Sequence, residues 1–473
     1  MAATDPAATD LAAARSRAES IFDAIVSRIE RGLIRPGERL PSIRVAAKTF
    51  GVSKNTAVDA YDRLVASGQV DSRPGSGFYV SPHRPKRAGQ DSPAKVEAVD
   101  IVWLLREQLD KRYAVRVGDG RPPAAWMESS EVGAHLRPVS RPGRRNLPES
   151  YGSPYGLPAL RERIALTLAE RSINVEPAQV LLTQGANDAL DMIVRHFVEP
   201  GDPVLVDSPG YYPLFGKLRL AKARLFGVRR TPDGPDPDDL ARRAVATGAK
   251  LFFTQSLAHN PTGCSITLPV AYRVMQVATR HNLRIVDSDP FADVLPAGSP
   301  RLAALDQLDR VIYIGTFAKT LSASLRSGYI AADADTTGAL ADLKMITRAN
   351  SSGYVEQIIY DLMTSGRYRG HLKRLGGRIE TATAKAHDSL AKLGLPVFGH
   401  PGGGFYMWCE LPKGIDDKQL SKIAAAQSIL LAPGSAFNPE TTPAPPAMRV
   451  NIAHAGDPRF ARFMRENGAA PAR

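Results

Sequence analysis

Apolar residues recur at helical spacing at Ile21, Ile25, Val26 and Ile29, which predicts an amphipathic first helix that Gly32 ends. Pro36-Gly37 makes a turn. Leu40-Pro41-Ser42-Ile43-Arg44 follows, with Ser42 placed to cap a second helix through Ala46 and Ala47. Gly51 breaks that helix. Ser53 is the expected N-cap of a third, Lys54 to Ser67, with Ala57, Val58, Tyr61 and Leu64 on its inward stripe. The stretch Val70 to Val80 holds Arg73-Pro74-Gly75-Ser76-Gly77 and reads as two strands with a Gly-rich tip.

From Ser81 to Pro93 the chain is polar, Pro-rich and aperiodic, the pattern of an exposed linker. Beyond it, short apolar runs alternate with amphipathic helices. Val204–Val206, Leu251–Thr254, Leu283–Val286 and Val311–Ile314 are examples of the runs. That alternation predicts an α/β domain with a largely parallel sheet. The domains expected are therefore 15–81, a linker at 82–99, a large domain at 100–465 and a frayed tail at 466–473.

Length agrees with two or three domains, since 473 residues exceed what one usually holds. Hydrophobic content of 43% and charged content of 23% are those of a globular protein with a core. No apolar run approaches the ~20 residues of a membrane span, so no membrane partner is expected. The N-terminus lacks the basic-then-apolar layout of a signal peptide. Cys264 and Cys409 are far apart and lack metal-ligand spacing, which favours a reducing cytoplasm over a disulfide scaffold or a metal site. The net charge is +13, of which residues 1–88 hold +5. Charge favours a polyanionic partner but does not locate it.

Two helices joined by a short Gly-containing turn form a helix-turn-helix, whose second helix enters the major groove N-terminus first. Lys54, Asn55 and Thr56 would then face bases or phosphates, and the Gly-rich hairpin would be a wing. Leu33, Pro36-Gly37, Arg39-Leu40-Pro41-Ser42, Arg44, Gly51-Val52-Ser53-Lys54-Asn55-Thr56, Tyr61, Leu64, Gly68, Arg73, Gly75 and Gly77 resemble the GntR winged-helix family over residues 18–81. The resemblance implies double-stranded promoter DNA as partner. Its contact residues would be Arg44, Ser53, Lys54, Asn55, Thr56, Arg73 and Gly77, with Arg44 and Lys54 on phosphate.

The large domain carries a series of motifs in fixed order. Tyr151-Gly152-Ser153-Pro154-Tyr155-Gly156 opens it, then Thr183-Gln184-Gly185-Ala186-Asn187-Asp188, whose Gly-initiated helix start suits a phosphate. Asp207-x-Pro209-x-Tyr211, His259-Asn260-Pro261-Thr262-Gly263 and Asp287-Ser288-Asp289-Pro290-Phe291 follow. Gly315-Thr316-Phe317-Ala318-Lys319-Thr320, Arg326-Ser327-Gly328, Gly402-Gly403-Gly404-Phe405-Tyr406 and Met448-Arg449-Val450-Asn451 complete it. Over about residues 100–465 this series resembles the class I aminotransferases, of fold type I. With the winged helix in front, the whole chain resembles the MocR subfamily of GntR regulators.

The resemblance implies pyridoxal 5'-phosphate as cofactor, carried on the catalytic lysine Lys319. A lysine amine in a partly dry cationic site has a lowered pKa and attacks an aldehyde. Arg326 would clamp the cofactor phosphate with Thr316 and the backbone of Gly185, Ala186 and Asn187. Tyr151 would reach the phosphate in the partner subunit of a homodimer. Tyr211 would stack on the pyridine ring, Asn260 would bond its phenolic oxygen, and Arg449 would hold a ligand carboxylate. The effector expected is pyridoxal phosphate or a small amino compound.

Four positions depart from the enzymes. Where they have Glu-Asp-Asp-Pro-Tyr, this chain has Asp287-Ser288-Asp289-Pro290-Phe291. In the simplest register Ser288 replaces the carboxylate that pairs with the protonated ring nitrogen. Asp289 or Asp287 substitutes if the strand shifts by one. Phe291 lacks the tyrosine hydroxyl, and Ala186 stands where a serine is common. These departures favour a regulator with weak or absent transamination. The rival is a working aminotransferase with an accessory DNA-binding domain.

Overall fold

The computed structural model describes residues 6–30, 34, 37–67, 69–73, 76–81, 93–110, 112–127, 132–133, 151–440 and 444–467. It divides into two compact units, Met1–Gln90 and Asp91–Arg473. The expected breaks at Gly32, Pro36, Pro74 and Gly75, and most of the expected linker and tail, lie outside the described residues.

The first unit has helices α1 (Pro6–Glu30), α2 (Ile43–Phe50) and α3 (Lys54–Ala66), then strands β1 (Val70–Arg73) and β2 (Gly77–Val80). Ser42 and Ser53 cap α2 and α3, accepting from the amides of Val45 and Thr56. Such caps replace one of the amide partners a helix start lacks. Gly51 ends α2 at φ 63°, a left-handed cap that glycine adopts without strain. Ala18, Ile21, Ile25, Leu40, Ala60, Tyr61 and Leu64 form the core, closed by Val70 and Val80 from the hairpin. Val58, expected on the inward stripe, is only half-buried; Ala60 takes the inner position.

In the second unit α4 (Pro93–Leu109) begins inside the expected linker, so the segment 93–99 is helical. Proline fits a first helical turn, where its missing N–H has no partner to lose. The large sheet contains β3 (Val180–Thr183), β4 (Pro203–Ser208), β5 (Arg224–Thr231), β6 (Gly234–Pro235), β7 (Leu251–Thr254), β8 (Arg284–Asp289), β9 (Val311–Thr316) and β10 (Gly328–Ala331). Their order is β3-β10-β9-β8-β7-β4-β5-β6. The five central strands are parallel, as expected; β10 runs antiparallel to β3 and β9. The segment 317–327 that joins β9 to β10 is shorter than the helical crossover a parallel neighbour requires. A second sheet, β11 (Tyr406–Glu410), β13 (Ala447–Asn451) and β12 (Ala432–Pro433), is antiparallel.

The two faces of the large sheet pack differently. Leu205, Phe252, Ile285, Val311 and Tyr313 face one core. Val206, Phe253, Val286, Ile312 and Ile314 face another, against the helix Ala186–Phe197 and Tyr211. The first face also buries charge at the strand ends. Arg230 donates to Asp207 at 2.9 Å, and Arg301 Nε to Asp289 at 2.9 Å. Tyr313 Oη donates to the same Asp289 oxygen at 3.0 Å. Asp287, on the same face, makes no ion pair among the described residues, although the Arg301 charge acts on it. It accepts from the Ser256 amide at 2.9 Å and the Ser256 hydroxyl at 2.5 Å.

Burial pushes the Asp287 carboxyl up to about 7; the Ser256 hydrogen bonds oppose this, and the Asp289 charge adds to it. The folded state thus holds this proton more tightly than the unfolded chain does. The stability it contributes is present below about pH 4 and is lost as pH rises to about 7. Asp287→Asn removes that dependence. Its thermal midpoint relative to the parent protein should rise between pH 5 and pH 8; an unchanged difference would contradict the raised value.

Candidate functional site

In the first unit the expected DNA contacts lie on the N-terminal turns of α2 and α3 and on the hairpin. Arg44, Lys54 and Asn55 are exposed. Tyr61, buried in α3, donates to the Pro41 carbonyl at 2.8 Å and ties the start of α2 to α3. Ser53 and Thr56 are also at this edge, but their hydroxyls pair with each other at 2.8 Å and close the cap. Outward contacts there fall to Lys54 and Asn55. Arg73 is exposed and lies over the Tyr79 ring at 4.4 Å. Gly77 has φ 109°, and a Cβ on it would come within 3.2 Å of Arg39 Nε. Arg39 is thus a further exposed guanidinium at the hairpin. Sequence reasoning quoted it in the motif without assigning it a contact.

In the second unit three chain segments meet at the ends of β3, β9 and β10. Gly185 has φ 89° and starts the helix Ala186–Phe197 without a side-chain cap. Arg326 lies over it: a Cβ on Gly185 would be 3.2 Å from Arg326 Nη2, which donates to the Gln184 carbonyl at 3.2 Å. Gly328 fits beneath, where a Cβ would be 3.2 Å from the Ala186 amide. An uncapped helix start beside a guanidinium is a site for an anion such as phosphate. Thr316, expected to join it, directs its hydroxyl to the Ser327 carbonyl at 3.2 Å and accepts from the Ala318 amide. It therefore shapes the turn that carries Lys319.

Lys319 Nζ donates to the Gly120 carbonyl. Tyr406 Oη donates to the same oxygen at 2.8 Å. Arg449, fully buried on β13, donates to Asn260 Oδ1 at 3.0 Å and to the Gly118 carbonyl at 2.8 Å. Its Nε has no hydrogen-bond partner among the described residues, and its guanidinium lies between the Tyr406 and Phe437 rings at 4.8 and 5.1 Å. A buried cation fits a carboxylate. Burial raises the Tyr211 phenol above its usual range, helped by Tyr212 and Tyr406 and opposed by Arg449 and Arg326. Tyr211 thus feels both guanidiniums.

Lys319 and Arg449 therefore converge on Gly118-Asp119-Gly120, with Asn260 bonded to Arg449, and Gly185, Ala186 and Arg326 form an anion cradle. Gly118-Asp119-Gly120-Arg121-Pro122 was missed in the sequence, although paired glycines before a proline signal a close backbone approach. A Cβ on Gly118 would come 2.4 Å from the Ala432 amide. Gln108 was missed too: its Nε2 donates to Tyr212 Oη at 2.6 Å. Tyr151 does not join this pocket in its own chain; it is 87% exposed. Asn187 lies in the first turn of the helix Ala186–Phe197.

Asp289, expected as a cofactor residue beside the ring nitrogen if the strand shifted by one, does not reach that position. Its carboxylate binds Arg301 and Tyr313 on the opposite face of the sheet from Tyr211 and Ala186. The reason is strand alternation. Ser288 pairs in register with Ile314, and Asp287 with Tyr313, so Ser288 alone of the three turns toward the face of the pocket. Phe291 is fully buried against Phe405 and Tyr406.

Comparisons with known proteins agree with both units. Residues 17–80 match the bacterial regulatory proteins of the gntR family, and residues 139–464 match aminotransferase class I and II. The HTH-type transcriptional regulator YdcR of Escherichia coli is 26% identical, over 89% of this chain and 92% of its own. The probable rhizopine catabolism regulatory protein MocR of Rhizobium meliloti is 26% identical over 93% and 91%. The 2-aminoadipate transaminase of Thermus thermophilus is 30% identical over 72% and 86%. The crystal structure of the α-aminoadipate aminotransferase LysN from that organism, in complex with N-(5'-phosphopyridoxyl)-L-leucine, superimposes with a TM-score of 0.69. It covers 77% of this chain and 94% of LysN at 23% identity, a likeness of fold. The chain belongs to the aminotransferase class I and II family and carries a gntR-family helix-turn-helix domain in front of it, as MocR-type transcription regulators do.

Proposed function

We propose that this regulator binds pyridoxal 5'-phosphate at Lys319, senses a small amino compound through it, and acts on promoter DNA through residues 18–81. The observation that carries this reading is the convergence of Lys319 and Arg449 on one backbone strap, with Asn260 bonded to Arg449. The cradle of Gly185 and Arg326 fits the cofactor phosphate. Tyr211 fits its ring, and the buried Arg449 guanidinium fits the ligand carboxylate. Bound there, the cofactor supplies an aldehyde for amines and a ring that withdraws electrons.

A homodimer in the cytoplasm completes the proposal. Tyr151 and Ile346 are 87% and 85% exposed. Gly152 lies against Asn350, so both fall within a few residues of one contact. A partner surface would cover them, and a symmetric dimer suits paired DNA half-sites.

The rival reading, a working aminotransferase, is favoured by the intact Lys319 and Arg449 and by the 30% identity to a transaminase. Ser288 opposes it. Removing a proton from the ligand's α-carbon requires a protonated ring nitrogen, and a carboxylate beside that nitrogen maintains the proton. A serine hydroxyl does not.

Parent protein mixed with pyridoxal phosphate should gain a visible band that borohydride bleaches, with the added mass on Lys319. Lys319→Ala should lack both. A parent protein that takes up no cofactor would end the sensor reading. Arg44→Ala and Lys54→Ala should each weaken operator binding and reduce its salt slope by about 1, with cofactor uptake unchanged. Unaltered affinity in both would place the docking face elsewhere. With amino acids as donors and 2-oxoglutarate as acceptor, turnover should stay below roughly one per second. Ser288→Asp should raise it by about tenfold or more; parent turnover at ordinary enzyme rates would promote the rival.

A further inference from the structure

The residue after Lys319 enters a closed polar network that the site described above does not use. Thr320 is fully buried. Its hydroxyl lies 3.2 Å from Asp293 Oδ2 and 2.9 Å from Tyr368 Oη, and its one proton is shared between them. Tyr368 Oη also donates to Asp293. Arg171 ion-pairs with the other oxygen of Asp293 at 2.5 Å. The Thr320 carbonyl meets His371 Nε2 at 2.8 Å. Tyr368 and His371 are buried on the helix Arg367–Ala391, and Arg171 lies just beyond the helix Pro158–Ala169.

The placement of this network gives it a role. Lys319 sits in the single turn closed by the Leu321 amide on the Phe317 carbonyl at 2.9 Å. Asp293 belongs to the turn that follows Ser288 and Phe291, where the Val294 amide meets the Phe291 carbonyl at 3.0 Å. Thr320 and Asp293 thus join the segment that bears the amine to the segment that bears the ring-nitrogen position. A solvent-exposed pair would add little to such a joint. Here Thr320, Tyr368 and Arg171 are buried and Asp293 is half-buried, and losing one partner leaves another unpaired where little water reaches.

We propose that Thr320, Tyr368, Asp293 and Arg171 are positioning residues that hold the Lys319 amine on the Gly120 carbonyl, in register with the strand end at Ser288. The inference rests on the cofactor reading only in naming what the amine is positioned for. Thr320→Val keeps the side-chain shape and removes the hydroxyl; Tyr368→Phe removes the phenol; Thr320→Ser keeps the hydroxyl.

The test is acetylation of the cofactor-free full chain by acetic anhydride at fixed pH. Lys319 modification is followed by peptide mass and normalised to the exposed Lys48. Lys319 should react about tenfold faster in Thr320→Val and Tyr368→Phe, the scale set by losing one buried hydrogen bond. In Thr320→Ser it should stay near the parent rate. Circular dichroism identifies any variant that does not fold, and the remaining variant then carries the test. Parent-like rates in the folded variants would overturn the proposal, as would a Thr320→Ser that behaves like Thr320→Val. In a second arm, addition of pyridoxal phosphate should label Lys319 about tenfold more slowly in the two disrupting variants. Absence of labelling in the parent would sink the cofactor reading while the acetylation result still decides this one.

Discussion

The period of two along β8 sends Ile285, Asp287 and Asp289 to one face of the large sheet and Val286 and Ser288 to the other. That alternation sorts the charges of the domain. On one face, Asp207 with Arg230 and Asp289 with Arg301 make buried ion pairs, and Asp287 leans on Ser256. Buried charges persist only when paired or hydrogen-bonded, and each of these carboxylates has such partners already. They are therefore withheld from the pocket on the other side. A shift of one residue would exchange the two sets, but the register of β8 with β9 forbids it, since Val286 and Ile312 pair inside an apolar core.

The pocket face holds cations, and its nearby carboxylates, Asp119 and Asp188, already have partners. Arg326 lies at the helix start, Arg449 lies over the Tyr406 ring, and the Lys319 amine meets the strap that Arg449 also holds. In the proposed reading such a surface attracts a phosphate and a carboxylate, and Ser288 would leave the ring nitrogen without a counter-ion. Binding and turnover make different demands on one site, and in that reading these residues meet the first. A ligand held without turnover has time to shift an equilibrium between two arrangements of the protein.

Much of this was legible in the chain because it is local. Ser42, Gly51 and Ser53 announce helix boundaries by their own hydrogen bonds and φ angles, and the structure places α2 and α3 where those residues put them. The parallel strands are apolar runs between amphipathic helices and were equally plain. What could not be read depends on distant partners. The direction of Asp289 follows from Arg301 and Tyr313. The role of Gly120 follows from Lys319 and Tyr406, some two hundred residues or more away in sequence. The helix that starts at Pro93 was hidden because its first residues share the polar, Pro-containing composition of the segment before it.

The central claim is that occupancy of the Lys319 pocket is felt at the DNA. The direct measurement is the affinity of the full chain for its own promoter fragment, at one fixed salt concentration, in three states: cofactor-free, loaded with pyridoxal phosphate, and loaded with an amino compound added. The account predicts that these affinities differ by about fivefold or more, and that Lys319→Ala abolishes the differences without losing DNA binding. Equal affinities in all three states, in a protein that carries the cofactor on Lys319, would contradict it.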